Sequence, residues 1–119
     1  MTDDKDRIKL PMSCIHGDAK AEVELERARV REILAVDEDN ELYTSSSILY
    51  ALSCWFKGRT FDLEYVLVDQ WMAVGVMEFV YGEMKYGDKG RIISAECDTF
   101  EDGLARIFLY IHDNYERDE

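Results

Sequence analysis

Asp37, Asp39 and Glu41 stand at alternate positions of an acidic run, the spacing of the first three ligands of an EF-hand calcium loop. The rest of such a loop is wrong. Its sixth position, where the sharp turn needs glycine, is Leu42, and its twelfth, where a bidentate carboxylate closes the site, is Ile48. Cys14, His16, Cys54, Cys97 and His112 are the other candidate ligands or nucleophiles, yet they form no Cys-x-x-Cys or His-x-x-x-His pair. A cysteine–histidine couple would have to be assembled by the fold. Gly82, Gly87 and Gly90 are too widely spaced for a Gly-x-Gly-x-x-Gly or Walker turn, and the P-loop lysine is missing. No metal or cofactor is expected from these patterns. The carboxylate pairs Asp62/Glu64 and Glu101/Asp102 have the residue types of a glycosidase or metal site. With 26 acidic residues in 119, however, such pairs arise by chance, and helix first turns account for them.

Acidity is the dominant feature of the chain. The formal charge is −12, and it is unevenly spread. Between Glu32 and Phe56 lie Glu32, Asp37, Glu38, Asp39 and Glu41 with no Lys or Arg; between Thr60 and Met84 lie Asp62, Glu64, Asp69, Glu78 and Glu83, again without a base. A third such stretch, Ile92 to Ala105, holds Glu96, Asp98, Glu101 and Asp102. This field repels nucleic-acid phosphates and anionic lipid, so neither direct nucleic-acid nor membrane binding is expected. Solubility explains an acidic surface without any partner. Complementarity to a basic partner protein explains it equally, because opposite potentials speed encounter and reject wrong partners. On that second reading Asp37, Glu38, Asp39, Glu41, Asp62, Glu64, Glu101 and Asp102 are the partner-binding candidates. Arg27, Arg29 and Arg31 are the one basic concentration, and pairing with nearby Glu22, Glu24 and Glu26 would neutralise them.

The elements that must position these side chains follow from periodicity. Ile8, Leu10, Met12 and Cys14 alternate, Gly17-Asp18 supplies turn chemistry, and Val23 and Leu25 alternate with glutamates, which predicts an N-terminal β-hairpin. Pro11 places its first strand at a sheet edge. Residues 27–36 lean towards strand, and 37–41 form a solvated turn. Ile48, Leu49, Leu52, Trp55 and Phe56 recur at helical spacing after caps at Ser45–Ser47, with Lys57 and Gly58 as the stop. Thr60, followed by Asp62 and Glu64, caps a second helix carrying Leu63, Val66, Leu67 and Trp71 on one face. Residues 71–82 fit either a buried strand or more helix. Residues 91–97 read as a strand with Ile93, Ala95 and Cys97 inward. Thr99 and Asp102 resemble a capping box before a helix whose apolar face is Phe100, Leu104, Ile107, Phe108 and Ile111. The expectation is one α+β domain over 1–119 with short charged ends at 1–6 and 115–119. It has a small, mainly antiparallel sheet, the N-terminal hairpin plus the strand near 91–97, with two or three helices packed on it.

Three odd, widely spaced cysteines suit free thiols, and the first residues lack a basic-then-apolar leader, so the expected address is cytoplasmic. The longest apolar stretch, Tyr65–Tyr81, is broken by Asp69, Gln70 and Glu78 and does not predict a membrane span. The leading functional expectation is an acidic inhibitor that docks carboxylates on a basic partner such as a nucleic-acid-binding protein or nuclease. In composition alone the chain resembles phage-encoded anti-defence inhibitors and immunity proteins. The alternatives are a small enzyme with a carboxylate or cysteine in a cleft, and a self-associating module, homodimeric for example, betrayed by an apolar patch with exposed Trp or Tyr.

Overall fold

In a computed structural model the protein is described over residues 7–13, 20–38, 42–55, 61–69, 71, 74–81 and 91–115. Its elements are β1 (Arg7–Ser13), α1 (Lys20–Glu38), α2 (Ser45–Trp55), β2 (Phe61–Asp69), β3 (Val74–Tyr81), β4 (Arg91–Cys97) and α3 (Phe100–Asn114). The sheet order is β1-β4-β3-β2, with β2/β3 and β3/β4 antiparallel and β1/β4 parallel. This is the expected α+β class, a mainly antiparallel sheet with helices on it and a strand at 91–97.

The N-terminal hairpin is corrected. Residues 20–38 form α1, so β1 has no hairpin partner and pairs instead with β4, the strand most distant in sequence. Pro11 does lie in an edge strand, where the β1/β4 register slips between Leu10 and Ser13. Alternation at Val23 and Leu25 misleads because only Val23 is buried, while Leu25 is 71% exposed. The true inward face runs Val23, Glu26, Arg27, Val30, Ile33 and Leu34, a 3.6-residue period in which two positions are charged.

The second correction concerns 60–71, expected as a helix. Phe61, Leu63 and Tyr65 alternate inward against Asp62, Glu64 and Val66, and pairing with Val74–Tyr81 makes both segments strands. That pairing resolves the ambiguity over 71–82 in favour of β3. Residues 27–36, expected to lean towards strand, and the first two residues of the expected turn at 37–41 are helix in α1, while the signals for α2, β4 and α3 hold. α2 starts where expected, although Thr44 rather than Ser45–Ser47 is the cap, its Oγ1 accepting from the Ser47 amide at 3.1 Å. Lys57 and Gly58, like the turn at Gly17-Asp18 and the tail at 116–119, lie outside the described residues.

α3 is the keystone of the core. It lies on β4, β1 and β3, and α1 and α2 pack against it in turn. Leu104, Ile107, Phe108 and Ile111 meet Met77, Phe79, Ile93 and Ala95 beneath, with Val30, Leu34, Ile48 and Leu52 around them. Close approach is set by glycine. A Cβ on Gly103 would fall 2.5 Å from Cys97 Sγ and 3.0 Å from Cys97 Cβ. One on Gly75 would strike the Tyr65 ring at 2.6 Å, and that ring packs edge-on against Phe100.

Gly103→Ala tests this packing. Alanine brings a helix-propensity gain of about 1 kcal/mol, but overpacking a tight core costs about 1–3 kcal/mol. Urea denaturation is expected to show a net loss, partly recovered when Cys97→Ala removes the nearer sulfur. A variant as stable as wild type would mean that α3 can lift from the sheet freely.

Candidate functional site

Two places stand out chemically, and they are opposite in character. The first is a buried carboxylate. Asp102 sits at the third position of α3 with its side chain only 2% exposed. Arg27 Nε donates to Oδ1 at 2.8 Å and Nη2 to Oδ2 at 2.6 Å, a bidentate pair from α1. The Tyr43 hydroxyl donates to Oδ1 at 2.6 Å, and the Thr99 hydroxyl to Oδ2 at 2.6 Å. Thr99 Oγ1 in turn accepts from the Asp102 amide at 3.2 Å, the N-cap the sequence signals. Four donors fill both oxygens, leaving nothing with which to bind a partner.

Burial pushes the Asp102 carboxyl towards the neutral form, but Arg27, Thr99 and Tyr43 outweigh it and hold the group below its ordinary value of 3.8. The reverse holds for Tyr43, whose phenol is raised first by burial and then by the adjacent carboxylate. Arg27 is raised, chiefly by its bond to Asp102. All three groups are thus locked in one protonation state near neutral pH, which suits a structural clamp. Arg31 and Arg27 lie over the Tyr43 ring at 5.5 and 5.9 Å from its centroid. Arg106 pairs with Glu26 at 2.6 Å, and Arg29 with Asp113. Of the three arginines expected to pair with nearby glutamates, Arg27 and Arg29 instead bind α3 and Arg31 lies over Tyr43, while Glu26 takes its base from α3.

The cysteine alternative fares as follows. Cys54 and Cys97 are free thiols, and Cys14 and His16 lie outside the described residues. Burial, with Asp98 and Asp102 nearby, pushes the Cys97 thiol up to about 11, the opposite of an activated nucleophile. No group of three His, Cys, Asp or Glu among the described residues could hold a metal ion.

The second place is the outer face of the sheet. Pairing sets Glu64, Glu78, Ser94 and Lys9 in one row across all four strands. Val66, Val76 and Glu96 form the next row, and Asp62, Val80 and Ile92 the row on the other side. Val66, Val76, Val80 and Ile92 are absent from the core cluster, so no described helix covers this face. Asp62, Glu64 and Glu96 are exposed and make no ion pair among the described residues, and Glu64 faces Glu78 directly across the ladder. Like charges so placed repel. Arg7 and Lys9 hold register positions on β1, the far edge. The β2 side is therefore the acidic one.

The sequence-derived candidates separate accordingly. Asp62 and Glu64 come together on this face. Asp37, exposed in the last turn of α1, and Glu101, exposed in the first turn of α3, belong to the helical layer on the other side. Glu38 ends α1, and Asp39 and Glu41 lie outside the described residues. Asp102 is withdrawn by burial. Glu78 and Glu96, counted in the base-free stretches but not among the eight candidates, join them on this face, where the register of β3 and β4 also sets Val76, Val80 and Ile92. No protein-family model, curated protein or solved structure matches the chain.

Two outcomes follow. Asp102→Ala strands Arg27 and the Tyr43 hydroxyl, at a cost on the order of 3 kcal/mol. Because the folded carboxyl is depressed, its contribution is full above the unfolded value and vanishes as pH falls below about 4. Acid unfolding of Asp102→Asn should therefore show a shallower loss than wild type in that window, and an equal slope would assign acid lability to Asp113 and others. Alkylation of the folded protein near neutral pH, followed by mass spectrometry, should mark the half-buried Cys54 well before Cys97.

Proposed function

We propose that this is a protein-binding module, an acidic inhibitor-type protein that meets a basic partner with the outer face of its sheet. The observation that carries the reading is the row-by-row placement of Asp62, Glu64 and Glu96, exposed and without ion-pair partners among the described residues, interleaved with Val66, Val76, Val80 and Ile92. Carboxylates used for structure are paired in this protein, as Asp102, Asp113 and Glu26 are. Asp62, Glu64 and Glu96 make no ion pair among the described residues, and the repulsion between Glu64 and Glu78 across the ladder would be relieved by incoming Lys or Arg. The central row of this face, Glu64, Glu78, Ser94 and Lys9, is polar, and the apolar residues Val80, Ile92, Val66 and Val76 flank it, so charge and apolar contact are offered side by side. A nucleic-acid-binding protein or nuclease is the partner class that fits, as for the phage anti-defence and immunity proteins that share this composition. Nucleic acid itself and anionic membrane are disfavoured by the same charge. No helix among the described residues is long and apolar enough to cross a membrane.

A pull-down from source-cell lysate at low and high salt tests this, with wild type beside Asp62→Asn/Glu64→Gln. Exposed charges act over a screening length of about 8–10 Å at physiological salt. A basic protein should be retained at low salt, released at high salt, and bound by the double variant about tenfold more weakly, chiefly through a slower association rate. Retention insensitive to both salt and substitution would overturn the reading.

A further inference from the structure

β2 is the last strand of the sheet, and among the described residues no strand pairs with its outer side. Proteins usually protect such edges with charge, proline or a bulge, because an open ladder invites another strand. The opposite edge, β1, has its proline. β2 carries charge at Asp62 and Glu64 and, past a register slip, at Asp69, which leaves an uncharged stretch between them. Asp62 and Glu64 occupy the first half, but Val66, Leu67 and Val68 follow at 50, 49 and 67% exposure, where the register with β3 slips between Leu67 and Asp69. Just beyond the strand, Trp71 is 98% exposed. Its backbone amide donates to Asp69 Oδ1 at 3.1 Å. An exposed tryptophan presented at a hairpin tip beside apolar residues is the composition of a binding hot spot.

We infer that the free edge of β2 accepts an added antiparallel strand from a basic partner protein, with Trp71 as the anchor at the hairpin tip. The inference rests on the basic-partner reading above and specifies where and how that partner binds. Main-chain hydrogen bonds supply affinity in this mode, and alternate side chains supply specificity. The incoming strand is read from β2: an apolar residue opposite Val66, then Lys or Arg opposite Glu64 and Asp62, at every second position. Charge selects this occupant over a second copy. β2 and β3 carry Asp62, Glu64, Asp69 and Glu78 and no base at all, so pairing two such hairpins would bring like charges together. Antiparallel addition is preferred because its ladder is the more stable per residue.

The experiment uses the full chain and two synthetic peptides of nine residues, the length of β2. One has valine at alternate positions in its first half and lysine at those positions in its second; the other reverses the halves. The first peptide should slow amide exchange along β2, bind about tenfold more tightly than the reversed one, and lose about tenfold or more with Trp71→Ala, a substitution that leaves the fold intact because the side chain is exposed. If both bind equally, or protect residues near Asp37 and Glu101 instead, the strand-addition inference is overturned while the basic-partner reading survives. If neither binds, the inference also fails, and the pull-down judges the basic-partner reading separately. A wild-type dimer in light scattering that Trp71→Ala makes monomeric would assign the edge to a second copy and overturn the inference too.

Discussion

The carboxylate of Asp102 is the point on which three separate pieces of chain converge. α1 reaches it through Arg27, the segment before α2 through Tyr43, and the start of α3 through Thr99. A charge 2% exposed would be intolerable alone; with four donors it becomes a geometric constraint, since each partner must be in place for any to be satisfied. The clamp fixes where α1 lies on α3. Because α3 in turn lies on β4 with Gly103 against Cys97, the clamp indirectly sets the whole helical layer against the sheet.

The same comparison explains how an acidic chain tolerates its charge. On the helical side, acid and base meet across elements: Arg27 with Asp102, Arg29 with Asp113, Arg106 with Glu26. Bases are thus drawn to the α1–α3 contact. Among the described residues the β2 end of the outer sheet face carries carboxylates and no base, while Lys9 sits at the other edge.

The two sheet edges differ for a related reason. β1 carries Pro11, which has no N–H to offer an incoming strand. β2 has no proline, its Val66–Val68 stretch is exposed, and beyond its register slip the Trp71 amide bonds to Asp69. Trp55 and Trp71 make the contrast within one residue type, the first 7% exposed against Phe108 and the second 98% exposed at the tip.

Local chemistry determined α2, β4 and α3, because each has an unbroken period and, for the helices, a cap that acts within a few residues: Thr44 on Ser47, Thr99 on Asp102. It also determined the class of the fold, the edge position of Pro11, and which strand residues of 91–97 face inward. α1 and β2 were decided only by tertiary structure. In α1 the buried period is hidden by Glu26 and Arg27, whose inward positions make sense only once Arg106 and Asp102 are opposite them. In β2 the residues fit both periods, and β3 chose between them by pairing. The candidate site divides the same way. Abundance of carboxylates was legible in the sequence. Which of them share a face was not: Asp102 and Glu101 are neighbours in the chain, yet one is clamped in the interior and the other is exposed, because a helix turns each successive side chain through about 100°.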